Sequence, residues 1–515
     1  MKDTFFLSTA IDYVNALPHL GTAYEKIGAD ALARYMRLKG TETFFLMGVD
    51  EHSANVETAA RARGMAPQQY CDEMSPRFVE VWRRLGISCD RFIRTTEETH
   101  VAAVRELFSR IHRNGDIYKA VYRGWYCASC NTFLKESELE GGLCPQHGKQ
   151  PARLEEENYF FALSRYADAL RRHIEEHPEF IMPQTRRNEI VRFLSAGLED
   201  ISVTREGIEW GIRCPFDETH AVYVWFDALI NYLSGAGFLD DPARFSRRWP
   251  ADVHIIGKDI TRFHCLIWPA MLLSAGLPLP RSVWGHGFVH LGGEKMSKTL
   301  GTTVDPVALA DGYGADAVRY FLLREVPFDR DGEFTLEKFR ARYSADLSND
   351  LGNLCQRTLT LVAAHLGGAI PEAPTGEEGA DGELRLALAG AAAPFRAEME
   401  TFRFSQALER IWALVGRCNR YIDETAPWKL RKDPARAKRF AGVLYNLCEA
   451  LRVLSILVSP AMPSTAAAMR AQLGLPPGPA QGALGEAERF GLLAPGTRLG
   501  RVKPLFPRKN PGDNG

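Results

Sequence analysis

The sequence is short of several things, and each shortage narrows the reading. No apolar run approaches the ~20 residues that a membrane-spanning helix needs, so no membrane partner is expected. Charge of one sign is not in excess: 63 Lys and Arg stand against 64 Asp and Glu, a formal net charge of −1. No global positive field draws in nucleic acid, so any such contact must rest on local patches. Met1-Lys2-Asp3-Thr4 runs directly into the apolar Phe5-Phe6-Leu7, so no signal or transit peptide is expected, and a cytoplasmic location follows by default. Internal repeats are lacking. The ten cysteines are scattered, with one group of informative spacing, which argues against a disulfide framework. What remains is a 515-residue chain, 45% hydrophobic and 25% charged, with room for about two to four globular domains.

The stretch around Thr9 to Gly40 organises the chain. Phe5-Phe6-Leu7 reads as a short buried strand, Asn15, Pro18 and Gly21 break the pattern, and from Thr22 apolar residues recur at helical spacing (Ala23, Ile27, Ala31, Leu32, Tyr35, Met36). Strand, tight turn, helix is the expected order, with His19-Leu20-Gly21-Thr22 at the turn. That places His19 and the first amides of a helix where open α/β sheets bind phosphate, and Gly21 lets a nucleotide approach the backbone. Taken alone, this tetrapeptide reads as an ordinary turn. Far downstream, Gly292-Gly293-Glu294-Lys295-Met296-Ser297-Lys298-Thr299-Leu300-Gly301 sets two lysines three apart in a glycine-flanked loop. Alone it reads as a solvated loop, yet two ammonium groups on a flexible loop suit a clamp on polyphosphate.

A second chemistry is written in Cys127-Ala-Ser-Cys130 and Cys144-Pro-Gln-His147, two ligand pairs with thirteen residues between them. Thiolates and an imidazole at this spacing suit one tetrahedral zinc ion, against the alternatives of a redox Cys-x-x-Cys or unpaired thiols near a chance histidine. Four protein ligands leave no open position, so the expected role is structural, with one zinc per chain.

The two motifs, in this order and this far apart, resemble the HIGH and KMSKS signatures of the class I aminoacyl-tRNA synthetases, and the chain resembles the methionyl-tRNA synthetase family from about Phe5 to Pro504-Leu505-Phe506-Pro507-Arg508. The resemblance implies a Rossmann-like, doubly wound parallel sheet with a zinc-bearing connective insertion, followed by an all-α anticodon-binding bundle. The expected divisions are 1–115 for the first half of the catalytic domain, 116–225 for the insertion and 226–288 for the second half. The lysine loop and stem-contact region then take 289–345, the bundle 346–480 and a C-terminal tail 481–515. Strands are expected at Thr43–Val49, Val222–Ala228 and Val253–Asp259, with Val283–Phe288 leading into the lysine loop, a loop at Gly367–Gly382, and disorder from Asn510 to Gly515.

The implied reaction joins methionine to ATP as methionyl-adenylate, releases pyrophosphate, and transfers methionine to the 3′ end of tRNA(Met) for translation initiation and elongation. His19 would donate to the α-phosphate, and Lys295 and Lys298 would neutralise the outer phosphates, with Gly21, Thr22 and Ser297 completing the ATP site and magnesium accompanying ATP. Thr22 departs from the family signature, which usually ends in a second histidine; a hydroxyl can donate one hydrogen bond but carries no charge. Asp50, at the end of the second expected strand, would hold the substrate ammonium. Ile11, Tyr13, Trp225, Ala228, Leu229, Tyr232, Ile260, Phe263, His264 and Trp268 match the family's pocket segments, and aromatic edges suit a thioether, although spacing alone reads equally well as core. Asn353 and Arg357, four apart on a helix, and Trp428 match the family's reader of the CAU anticodon. Arg403, Arg410 and Arg417 repeat every seven residues as a stripe that reads as a solvated face or as contacts to tRNA phosphates. Only seven residues follow Leu505-Phe506-Pro507-Arg508, so a monomer is expected. The rivals are another class I synthetase, a nucleotidylyltransferase and a decayed synthetase that only holds RNA. An insertion of about 110 residues is small for an editing domain, and His19, Asp50, Lys295 and Lys298 occur together beside a helical half.

Overall fold

Near-continuous apolar runs such as Thr43-Phe-Phe-Leu-Met-Gly-Val-Asp50 and Val253-His-Ile-Ile-Gly257 carry no solvent-facing alternation, the mark of parallel strands covered on both faces. The computed structural model describes residues 4–129, 132–145, 148–295 and 303–509. The chain forms two compact units, each built from separated stretches. The first comprises the residues up to Leu17 with Phe44–Val81 and Cys89–His286; the second comprises Pro18–Thr43, Trp82–Ser88 and the residues from Gly287 on.

In the first unit lies a seven-stranded sheet. Its strands are β1 (Phe5–Thr9), β2 (Asp12–Tyr13), β3 (Thr43–Asp50), β4 (Arg91–Arg94), β5 (Ile181–Met182), β6 (Val253–Gly257) and β7 (Val283–His286). The order is β2-β3-β1-β6-β7-β5, with β4 also on β3. The β1–β6, β6–β7, β7–β5, β2–β3 and β3–β4 pairs are parallel. Phe6, Phe45, Leu46, Ile93 and Ile256 fill the core. The expected parallel sheet and a helical C-terminal half are thus both present.

Three local expectations are corrected. The link from β1 to the first helix is no tight turn, because β2 intervenes and pairs with the carboxyl end of β3. Val222–Ala228 does not rejoin the sheet: Asp217–Val222 is the central strand of a separate three-stranded antiparallel sheet, and Val224–Leu229 is helical. A short, wholly apolar run satisfies strand and buried helix equally, so the pattern could not choose. Residues 116–225 are not one continuous insertion, since Ile181–Met182 returns to the central sheet as β5. The connective part proper is the antiparallel set around Ile117–Cys127 and Ala152–Phe161, joined in register from Ile117↔Phe161 to Tyr126↔Ala152.

The second unit holds α1 (Leu20–Lys39) and the helical half. Long helices Phe404–Thr425 and Ala437–Leu457 form its centre. The segment Pro434–Leu457 is long and apolar enough to cross a membrane, but 94% of its apolar window is buried inside the protein, as in a core helix. The expected tail is an integral part of this unit. Glu449, buried on the central helix, accepts N–H bonds from Gly491, Leu492 and Leu493, while Ser348 and Tyr343 donate to the carbonyls of Phe506 and Pro507. Residues 510–515, expected to be disordered, lie outside the described residues.

One fully buried guanidinium pins α1 in this unit. Arg319 pairs with Asp30 of α1 at 2.6 Å and donates to the carbonyls of Ala461, Pro460 and Leu85. Asp30 also accepts from Arg34 and from the amide and hydroxyl of Ser88. Burial alone would raise the Asp30 carboxyl, but the Arg319 and Arg34 guanidiniums and Ser88 outweigh it and hold it below the usual range. Such a group contributes stability above the unfolded aspartate value of about 3.9 and loses it as pH falls through the lower folded value. Arg319→Met strands a buried carboxylate and is expected to cost about 3–5 kcal/mol. The double variant with Asp30→Asn should recover part of that loss. Urea unfolding of the three proteins at neutral pH checks this, and equal stability of wild type and Arg319→Met would contradict it.

Candidate active site and anticodon interface

His19 sits in extended conformation as the cap of α1, and its Nδ1 accepts the Thr22 N–H at 3.2 Å, with the Thr22 hydroxyl 3.4 Å away. A nitrogen that accepts from an amide carries no proton, so the imidazole proton sits on Nε2 and makes that nitrogen a donor. The N-terminus of α1 is less open than a generic helix end. Of its first four amides, Leu20 donates to the Val304 carbonyl, Thr22 to His19 Nδ1 and Ala23 to the His19 carbonyl. The Leu20–Val304 bond has a second meaning, because Val304 follows closely after the lysine loop. That loop leaves from a hairpin, Val289–Leu291 against Glu294–Lys295, turned by Gly292 and Gly293 at φ +63° and +84°. Only glycine tolerates both angles readily. Lys295 pairs with His290 across this hairpin; Ser297 and Lys298 lie outside the described residues. Within α1, Gly28 faces the Phe328 ring so closely that a Cβ would overlap it, and Tyr24 donates to the Val326 carbonyl.

The residues matched to the methionine pocket gather in the first unit. The β2–β3 register sets Tyr13 beside Asp50, and Ile11 reaches the space next to Gly48 on the same strand. Trp225 and Ala228 come from helix Val224–Leu229; the Trp225 ring stacks on Phe263 at 4.1 Å and meets the edge of Tyr13 at 6.3 Å. Phe263 and His264 open a π-helical turn, Phe263–Ile267, whose wider turn is a frequent device at functional sites. His264 Nδ1 faces the Ile260 carbonyl at 3.0 Å, so it carries the proton and Nε2 accepts from the Tyr232 hydroxyl at 2.8 Å. Leu229, Tyr232 and Trp268 are wholly buried, and Trp268 donates to His254.

Asp50 is buried, and its carboxyl is pushed well above the usual range by desolvation and by the nearby charge of Asp227, with the His52 amide working against them. A cation placed against it would offset both causes. Sequence reasoning missed what stands behind it. His52 Nδ1 contacts Asp227 Oδ2 at 2.9 Å, His100 Nε2 contacts Asp227 Oδ1 at 2.7 Å, and His100 Nδ1 meets the Ser234 hydroxyl at 2.8 Å. Burial alone would raise Asp227, but His52 and His100 outweigh it and hold its carboxyl low. No spacing rule connects positions this far apart in the chain; the His52 neighbour of Asp50 was the one available hint.

At the expected zinc site, Cys127 and Cys144 are buried and share one small cluster with Leu134, flanked by Trp125 and Leu139. Cys144 opens a tight turn in which its amide donates to Lys149 and its carbonyl accepts from the Gly148 amide, Gly148 having φ +59°. Two thiols from two segments thus converge under an apolar cover, which fits a knuckle; Cys130 and His147 lie outside the described residues.

In the second unit, Arg357 lies 5.3 Å from the centre of the Trp428 ring and is tied to Asp423 at 3.3 Å. Ala426, at φ +41°, ends helix Phe404–Thr425 in a left-handed residue, and Pro427 starts a new short helix that leaves Trp428 36% exposed. Asn353 is exposed at the start of helix Asn353–His365, which also carries Arg357. The arginine stripe is not a free cationic face: Arg403 and Arg410 pair with Glu398, and Arg417 is buried against Glu424.

Comparison with known proteins bears on the whole arrangement. The family described as tRNA synthetases class I (M) matches residues 5–155 and 144–359, and the anticodon binding domain of methionyl tRNA ligase matches residues 370–507. The chain is 47% identical over 509 residues to the methionine–tRNA ligase of Caldanaerobacter subterraneus subsp. tengcongensis, covering 99% of this chain and 79% of that protein. Against the Fusobacterium nucleatum methionine–tRNA ligase the identity is 45% over 511 residues, covering 99% and 80%. Mycobacterium tuberculosis methionyl-tRNA synthetase in complex with methionyl-adenylate superposes with a TM-score of 0.94 at 45% identity, covering 99% of this chain and 100% of that one. With both halves matched over nearly the full length, the chain belongs to the methionyl-tRNA synthetase family of class I aminoacyl-tRNA synthetases.

Proposed function

We propose that this methionine–tRNA ligase divides its work among four groups of its own residues. On the ATP side, His19 donates from Nε2 to the α-phosphate as the methionine carboxylate attacks it and pyrophosphate departs. The single observation that carries this is the use of His19 Nδ1 as the helix cap, which leaves the proton on the other nitrogen. Thr22 supplies the amide that fixes this tautomer, so its replacement of the family's usual second histidine preserves the orientation of His19. Lys295 and Lys298 take the charge of the outer phosphates, Gly21 and Ser297 complete the ATP site, and magnesium accompanies ATP. The protein's contribution is placement and charge stabilisation, because little covalent work falls to it.

On the amino-acid side, Asp50 holds the ammonium and the cluster of Ile11, Tyr13, Trp225, Ala228, Leu229, Tyr232, Ile260, Phe263, His264 and Trp268 takes the thioether side chain. In the connective part, Cys127, Cys130, Cys144 and His147 hold one zinc ion as a structural staple, which takes no part in the reaction steps. In the bundle, Arg357 and Trp428 form a stacking platform for an unpaired anticodon base, with Asn353 one turn away as a polar reader. A cytoplasmic location belongs to this reading.

Three outcomes test these roles. His19→Asn keeps a side-chain acceptor at the cap but loses the Nε2 donor, so melting should change little while the rate of methionine-dependent pyrophosphate exchange falls about 100- to 1,000-fold; an unchanged rate would remove His19 from the chemistry. Freshly purified protein should carry about one zinc per chain and Cys144→Ser should lose it, as read by metal analysis, with aminoacylation weakened through loss of the knuckle's fold. Trp428→Ala should leave pyrophosphate exchange intact and lower tRNA charging about 5- to 150-fold, the loss of one base stack. Equal damage to both assays would point to the fold of the bundle instead.

A further inference from the structure

Asp50 can hold an ammonium only if its carboxylate is both aimed and ionised, and its surroundings work against ionisation: it is buried, and a second carboxylate, Asp227, acts on it. Asp227 is itself fully buried, yet each of its oxygens is matched by an imidazole nitrogen, His52 Nδ1 at 2.9 Å and His100 Nε2 at 2.7 Å. Both nitrogens donate, since an ionised carboxylate only accepts. His100 Nδ1 then accepts from the Ser234 hydroxyl at 2.8 Å, a closer partner than the carbonyls of Ile230 and Asn231 at 3.3 Å. At the other end, the His52 ring is fixed by Asp227 while its own backbone amide donates to Asp50 Oδ1 at 3.3 Å. Trp210 closes this end by meeting the His52 ring edge at 5.3 Å and donating to the Glu51 carbonyl at 2.6 Å.

We infer that the buried chain Ser234–His100–Asp227–His52 positions Asp50 for the methionine ammonium, which makes His100, Asp227 and Ser234 positioning residues for activation. The chain does two things at once. It locks the His52 ring, and through it the amide that orients Asp50. It also spreads the charge of Asp227 over two N–H donors, so that less of its field falls on Asp50. Asp227 lies on the same short helix as Trp225 and Ala228, so one element carries the device for the ammonium end and two of the residues proposed for the thioether end. The inference rests on the reading of Asp50 as the ammonium site.

Steady-state pyrophosphate exchange on the full chain separates the possibilities. His100→Leu removes the donor to Asp227 and should raise the methionine KM about 10- to 100-fold, the loss of a charge-assisted bond. The ATP KM and kcat should stay within about twofold, because the ATP side makes no use of this chain. His100→Gln, whose amide can donate from near the Nε2 position, should restore most of the affinity, a rescue that simple packing would not favour. Ser234→Ala perturbs packing least and should give a smaller rise, about 3- to 10-fold. Asp50→Asn is the reference: it should raise the methionine KM more than any of these. If Asp50→Asn raises it while His100→Leu and Ser234→Ala do not, the positioning chain is overturned and the ammonium site stands. If Asp50→Asn leaves it unchanged, both fall. Parallel rises in the methionine and ATP KM, with no rescue by glutamine, would assign the chain to packing and also overturn the inference.

Discussion

The second unit depends on a charge that has no access to water. Arg319 is fully buried, and a guanidinium in that position must spend every donor on a protein acceptor. It does so by reaching three separated stretches at once: Asp30 on α1, the carbonyl of Leu85, and the carbonyls of Pro460 and Ala461 beyond the long apolar helix. Removing any one of them leaves a buried donor unpaired, so these stretches are held as a set. The helix that presents His19 is therefore anchored by a residue 300 positions downstream of that histidine in the chain.

Histidine tautomers carry much of the site's chemistry, and neighbours set them. His19 is fixed by a backbone amide on Nδ1, and His264 by a backbone carbonyl on its own Nδ1, so the two rings present opposite characters at Nε2, a donor in the first and an acceptor in the second. His52 and His100 are fixed by sharing one carboxylate. In each case a single short contact decides whether the ring gives or takes a proton. At position 22 the group that orients His19 is the backbone amide, which every residue but proline has.

Buried carboxylates answer to the same economy with different results. Asp30 is held low by two guanidiniums and a serine, and Asp227 by two imidazoles. Asp50 lacks such compensation and is raised. Of the three, it is the carboxylate that a nearby cation would stabilise most. The contrast rests on local partners, since all three side chains are buried.

Much was legible in the sequence. Apolar runs marked β1, β3 and β6, helical periodicity marked α1 and the helical half, and the paired signatures at His19 and in the lysine loop pointed to class I synthetases, because local backbone preference and burial pattern act over a few residues at a time. Where one pattern suits two structures, as at Val222–Ala228, the expected strand gives way to a helix from Val224 that packing chose. The route of the chain through β2, the return of Ile181–Met182 to the sheet and the burial of Phe506 depend on strand and helix partners far away in the sequence. The same holds for Arg319 with Asp30 and for Asp227 with His52 and His100. A residue's type states which bonds it can make. Which bond it does make, and therefore its charge and its aim, is settled only when the fold brings the partner within 3 Å or so and takes the water away.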